Sequence, residues 1–288
     1  MKKDITELYC KVDDFCNEVD RIEKSTRIGA YKKATRTPQL KNSEIVTIIL
    51  LFHYSPCKNF KYFFESYLQL YKPEFPELLS YNRFLELMPR SFPSFLLLLT
   101  SFLDKEDKIH FIDSTPIPVC HNKRISRHRV FKGLARRGKS TMGWFFGFKL
   151  HLVINRKGCL TAVSITPGNT DDRVPVRRLI KDLKGLLFAD RGYISPDLFK
   201  DLFEKGLKLV TGIKKNMKNK LMDLNEKIML RKRSISETVN DYLKNKMNIS
   251  HTRHRSTSNA FVHIFSTLVA YSLKPTKPSI SQNFLIPS

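Results

Sequence analysis

Two apolar runs too short for a helix, each closing on a carboxylate, constrain this chain more than any other feature. Residues 109–113 read I-H-F-I-D and residues 186–190 read L-L-F-A-D. Such runs are strands covered on both faces, and they belong to sheets flanked by helices. Between them, residues 143–155 (GWFFGFKLHLVIN) carry Phe146, Phe148, Leu150, Leu152 and Ile154 at every second position, the strand period. Asn155-Arg156-Lys157-Gly158 is a turn, and residues 159–166 form the return strand, broken by Pro167-Gly168-Asn169. Residues 174–183 read as a helix. Ser195 caps another, with Pro196 at its first position and Gly206 stopping it. Residues 207–213 read as a strand and residues 228–246 as a long helix. This order predicts an α/β domain in which a three-strand antiparallel part continues into a parallel part. If the first strand lies beside the fourth, Asp113 and Asp190 end next to each other at the carboxyl edge, where open α/β sheets place their sites. One such Asp is as readily a turn or helix cap. Two of them, in this order, favour metal binding.

The first hundred residues read differently. Ile5, Leu8, Val12, Phe15, Val19 and Ile22 follow helical spacing and predict a packed amphipathic helix. Residues 26–42 are polar and basic, and Pro38 excludes a helix there. Ser43 and Glu44 open a second helix that ends before Pro56. Phe60, Phe63, Phe64, Tyr67, Leu68 and Tyr71 mark a third, and their helical spacing makes them core rather than a base-stacking platform. A short piece at residues 82–88 precedes an apolar helix to about Leu103. A helix-turn-helix fits this all-helical region, with residues 80–88 as the reading helix. The polar loop 104–108 reads as a boundary. The expected organisation is a helical domain over residues 1–105, an α/β domain over 106–274 and a loose tail over 275–288.

Charge narrows the function. Lys plus Arg number 51 against 27 Asp plus Glu, a net charge of +24. A field that positive suits a polyanionic partner, and nucleic acid is the one it fits best. Residues 114–170 hold no acid, and none follows Asp241. Residues 123–139 alone hold eight cations, Lys123, Arg124, Arg127, Arg129, Lys132, Arg136, Arg137 and Lys139, and read as a flexible loop that orders on DNA. Residues 214–233 and the His251-to-Arg255 segment are further basic stretches. The longest apolar run, residues 95–103, is interrupted by Thr100 and Ser101 and is far short of the ~20 residues of a membrane helix. The acidic turn at Asp4 argues against a signal peptide. Five scattered cysteines without a C-x-x-C point to a reducing, cytoplasmic setting.

Five stretches together carry a resemblance: F-I-D-S-T-P-I-P-V-C-H-N (111–122), K-S-T-M-G-W-F-F-G-F-K-L-H (139–151), T-P-G-N-T-D-D-R (166–173), F-A-D-R-G-Y (188–193) and R-S-I-S-E-T-V-N (233–240). The chain resembles the DDE transposases of bacterial insertion sequences, insertion-sequence family 982 in particular. The resemblance implies a ribonuclease H-like mixed sheet with flanking helices, preceded by the helical N-terminal domain. It implies three catalytic acids that hold two Mg²⁺ ions, with Mn²⁺ as a substitute: Asp113, Asp190 before Arg-Gly-Tyr, and a helix glutamate. Related families show Tyr-x2-Arg-x3-Glu-x6-Lys, and Arg233, Glu237 and Lys244 fall on that pattern. Leu230 stands where the Tyr is expected. Glu226 is the competing carboxylate, in a basic linker outside the pattern.

The implied reaction is cleavage of DNA at the element ends followed by attack of the freed 3′-OH on target DNA, by a homodimer on paired ends. Two hard cations neutralise the attacking and leaving oxygens of such an in-line displacement. Arg233 and Lys244 would contact phosphates beside them; as a plain surface ion pair, Arg233 and Glu237 would be worth only about 0.5 kcal/mol. Two other readings remain open here: a metal-dependent nuclease without strand transfer, and a non-catalytic DNA-binding relative.

Overall fold

The computed structural model describes residues 5–26, 39–213, 217, 221–251 and 254–280. Most of the polar stretch 26–42, parts of the basic stretches at 214–233 and 251–255, and residues 281–288 lie outside the described residues. The chain divides into two compact units, one of residues 1–101 with 255–273 and one of residues 102–254 with 274–288.

Among the described residues of the first unit the regular elements are helices, joined by turns such as residues 72–80. Helix α1 (Ile5–Thr26) buries Ile5, Leu8, Val12 and Cys16, one stripe at helical spacing. Helix α2 (Asn42–Tyr54) is buried nearly all round; the Glu44 carboxylate accepts from the Lys41 backbone N–H and closes its start. Asn59 caps α3 (Phe60–Tyr62), which continues as a wider turn through Tyr67. Of the aromatic stripe, Phe63, Phe64 and Leu68 are core while Phe60, Tyr67 and Tyr71 are half-buried, and Phe64 meets the buried Phe84 at 4.8 Å. Ser80 caps the short α4 (Tyr81–Leu87), and α5 (Phe92–Ser101) follows.

The second unit is a mixed α/β domain. Its strands are β1 (Ile109–Cys120), β2 (Arg136–Ser140), β3 (Gly143–Asn155), β4 (Leu160–Pro167), β5 (Gly185–Ala189) and β6 (Leu207–Thr211). Strand β3 pairs antiparallel with β1 along one edge, and with β2 and then β4 along the other. Strands β1, β5 and β6 are parallel neighbours in that order. The antiparallel part thus runs into a parallel part, with the first strand beside the later apolar one. Helices α6 (Val176–Leu179) and α7 (Pro196–Glu204) help cover one face, where Ile112, Leu187, Ala189, Ile180 and Leu202 share one core. Helices α8 (Leu224–Arg231) and α9 (Ser234–Asp241) pack on β5, β6 and β1.

Several boundaries differ from the sequence expectation. β1 does not stop at Asp113 but runs to Cys120. Beyond Phe111 it has lost β5 as a neighbour, and Pro116 and Pro118 fall where that edge requires no N–H donors. The long helix is broken at Lys232 and Arg233 into α8 and α9, and continues as a wide turn through Lys246. The basic segment 123–139 is not a featureless loop. Phe131 and Ala135 are buried, Phe131 packs on Phe148, and Arg136–Ser140 pairs with β3. Its apolar residues pin it down between the charges.

The expected division at residue 274 also shifts. Helix α10 (Thr257–Ser272) packs on α2 and α5 of the helical unit, through contacts such as the Tyr54 hydroxyl donating to the Ala270 carbonyl at 3.0 Å. Residues 274–280 are not loose. The Ile280 N–H donates to the Arg156 carbonyl at 2.9 Å, and Pro278 lies close against Gly158.

Candidate active site

The parallel pairing of β1 and β5 positions the first two acids. Ile109 stands level with Leu186 and Phe111 with Phe188, and the two Phe rings stack at 5.4 Å. Continued two residues further, the same register sets Asp113 against Asp190. Both side chains leave buried strands at the carboxyl edge of the parallel part. Asp190 also serves as a cap: its carboxylate accepts from the Arg191 N–H at 2.8 Å and starts a single turn through Tyr193.

Helix α9 supplies the rest of the site. Arg233 precedes it, Glu237 lies in its first turn and Asn240 one turn on, so helical spacing aligns them. The Arg233 guanidinium stands 3.4 Å from the Glu237 carboxylate and 3.8 Å from that of Asp190. Asn240 Nδ2 donates to Asp113 Oδ2 at 3.0 Å, while Asp113 Oδ1 accepts from the Ser114 N–H at 2.9 Å. The three predicted acids are therefore drawn together through one arginine and one asparagine. Glu226 is not part of this cluster; it pairs with Lys208 on β6.

The electrostatics are those of a carboxylate short of positive charge. Burial pushes the Asp113 carboxyl up to about 6, against the Ser114 N–H, the Arg233 charge and the Asn240 amide. Burial lowers the Lys244 ammonium below the ordinary lysine range, while the charges of Asp113 and Asp241 hold it up. Lys244 thus feels the charge of Asp113 as well as that of Asp241. Tyr193 is buried, and desolvation followed by the charges of Asp172, Asp113 and Asp190 raises its hydroxyl so that it stays protonated. Asp172 in turn pairs with Lys149 at 2.9 Å.

Asn240 and Tyr193 were not singled out from the sequence. Asn240 lies three residues after Glu237 and four before Lys244, and that spacing on one helix face was the available signal. Tyr193 closes the D-R-G-Y stretch. The eight cations of the 123–139 segment are all exposed, and among the described residues none is in an ion pair. They lie beyond the acid cluster, on the turn after β1 and on β2.

Residues 103–257, more than half of the chain, match the family model described as Transposase DDE domain. The chain belongs to the DDE transposase family. No curated protein matches it. Membership places it among enzymes that act on DNA, and DDE transposases generally use divalent metals. No helix among the described residues is long and apolar enough to cross a membrane.

Among the described residues no three His, Cys, Asp or Glu side chains converge on a single point in the way an ion requires. The donor chemistry nonetheless fits a hard divalent cation. The acids offer only oxygen, Asp113 is under-compensated, and a guanidinium bridges Asp190 and Glu237. Arg233 would have to give way for the carboxylates to close on a metal.

Proposed function

We propose that this chain is an insertion-sequence transposase of the family 982 type, with a ribonuclease H-like catalytic domain. It binds the ends of its element, cleaves the phosphodiester there and joins the 3′-OH to target DNA. The observation that carries this reading is the cluster itself: one helix sets Asn240 on Asp113 and Arg233 between Asp190 and Glu237. Asp113, Asp190 and Glu237 would hold two Mg²⁺ ions, which supply charge neutralisation at the attacking and leaving oxygens.

The chain's own residues do the rest. Asn240 fixes the rotamer of Asp113 and leaves its outer lone pairs free. Arg233 and Lys244 set positive charge beside a DNA phosphate. Exposed cations from Lys123 to Lys139 hold the duplex backbone, which orients DNA without reading sequence. Reading the ends falls to the helical N-terminal unit, with α4 as the reading helix, and the working species is a homodimer on paired ends in the cytoplasm.

The test is purified protein incubated with its own element ends, Mg²⁺ and a target plasmid. Cleaved ends joined to the plasmid are expected. Each of Asp113→Ala, Asp190→Ala and Glu237→Ala should abolish cleavage while DNA binding persists. Cut but unjoined ends would reduce the protein to a nuclease. Activity retained in Glu237→Ala and lost in Glu226→Ala would move the third acid to Glu226.

A further inference from the structure

The sheet carries an arm that the cleavage chemistry does not use. β1 and β3 continue together well past the row of Asp113; β2 pairs with the start of β3, and beyond the end of β1 residues 138–140 and 143–145 run on as a short two-stranded ribbon. At its tip Met142 is 94% exposed and Trp144 52% exposed. Lys139 and Arg137 stand opposite Trp144 and Phe146, so strand alternation brings both cations to the indole. The Arg137 guanidinium lies 5.0 Å from the ring centre and the Lys139 ammonium 5.8 Å.

The ribbon is built to be stiff. A Cβ at Gly138 would sit 2.0 Å from the Gly168 carbonyl oxygen, and one at Gly147 2.1 Å from that of Ile117. Asn122 Nδ2 donates to the Trp144 carbonyl at 2.7 Å. A rigid arm with a wet methionine and a wet indole at its end, flanked by cations, has an apolar tip and a polyanion-binding shank. No acid occurs from Ser114 to Thr170 to oppose a phosphate backbone. A two-stranded ribbon is also the right width for the major groove of a duplex.

Resting on the reading that the chain binds duplex DNA, we propose that the β2–β3 ribbon is a groove-reading arm. Arg137 and Lys139, steadied by the indole, take phosphates, and Met142 and Trp144 press on base edges. Leu152 is the β1-register partner of Asp113, and Trp144 lies eight residues before it. At ~3.3 Å per residue the tip reaches about 26 Å beyond the acids, or about eight base pairs along the duplex.

Trp144 is the only tryptophan, so its fluorescence reports the tip alone. Full-length protein is titrated with a labelled mixed-sequence duplex, following label anisotropy and tryptophan emission together. Emission should change in step with binding. Arg137→Ala and Lys139→Ala should each lower the slope of log affinity against log salt by about one unit. Met142→Ser, at a position too exposed to affect folding, should weaken binding several-fold. On a duplex carrying the element's own end it should also erase footprint protection about eight base pairs from the cleavage point. Binding with unchanged emission and unchanged salt slopes overturns the arm and leaves DNA binding intact. Emission that responds to single strands alone overturns it in favour of stacking on unpaired bases. Absence of any duplex binding overturns both the arm and the reading beneath it.

Discussion

Replacing Asp113 by Asn should stabilise the α/β unit while it ends catalysis. Burial raises the Asp113 carboxyl from 3.8 to about 6. At about 1.4 kcal/mol per tenfold change in proton affinity, the ionised carboxylate costs the fold about 3 kcal/mol. The sign follows from linkage. The folded carboxyl holds its proton more tightly than the unfolded one, so stability falls as pH rises from near 3.8 to about 6, then stays level. Asparagine removes this cost but has only one acceptor oxygen. The carboxylate accepts two hydrogen bonds, from Ser114 and Asn240, so one is lost at about 1 kcal/mol. The net gain is about 2 kcal/mol at neutral pH, or about 4–8 °C in midpoint for a unit of this size. Trp144 lies in this unit, so thermal unfolding followed by its emission in the absence of divalent ions is the assay. Below pH 4 both forms are neutral and the order should reverse, because only the lost hydrogen bond remains. A variant no more stable than the wild type at neutral pH, or a gain that persists in acid, would refute the argument.

Three further outcomes follow from the same geometry. Asn240→Ala should leave DNA binding unchanged and raise the Mg²⁺ concentration needed for half-maximal cleavage by about tenfold or more, since it frees the Asp113 side chain; an unaltered Mg²⁺ requirement would make Asn240 a packing residue only. Lys244→Ala should lower the salt slope of DNA affinity by about one unit and impair joining. If Lys244 served only to balance the charge of Asp241, Lys244→Ala and Asp241→Ala would instead cost similar small stability and leave joining alone. His151 is buried and its ring is held down to about 4 by desolvation, so stability should fall as pH drops from 6.5 towards 4, by about 3 kcal/mol in total. His151→Gln, monitored by acid titration of the unfolding midpoint, should flatten that dependence.

Local chemistry alone determined much of this protein. Apolar runs of four residues cannot be helices, so I-H-F-I and L-L-F-A had to be strands, and period two fixed β3 and its return. Arg233, Glu237 and Lys244 were legible only through the spacing that the resembling transposases share, which helical periodicity then set on one face of a helix. The net charge of +24 made a polyanionic partner legible without any fold.

Tertiary structure decided what depends on partners far along the chain. That β1 continues to Cys120 follows from its pairing with β3, which outweighs two prolines once β5 is no longer alongside. The loop 104–108 reads as a linker, yet Asp104 accepts from the Asn155 amide and Asp107 binds the Arg156 guanidinium, so it is tied to the β3–β4 turn. Helix α10 has the composition of any apolar helix, and only packing assigns it to the first unit. The Asn240 bond to Asp113 joins residues far apart in sequence, and the charge felt by Asp113 depends on burial that no local pattern encodes. Periodicity records which face of an element is apolar. Which element covers that face, and which carboxylate is left short of charge as a result, is settled only when the long-range pairs form.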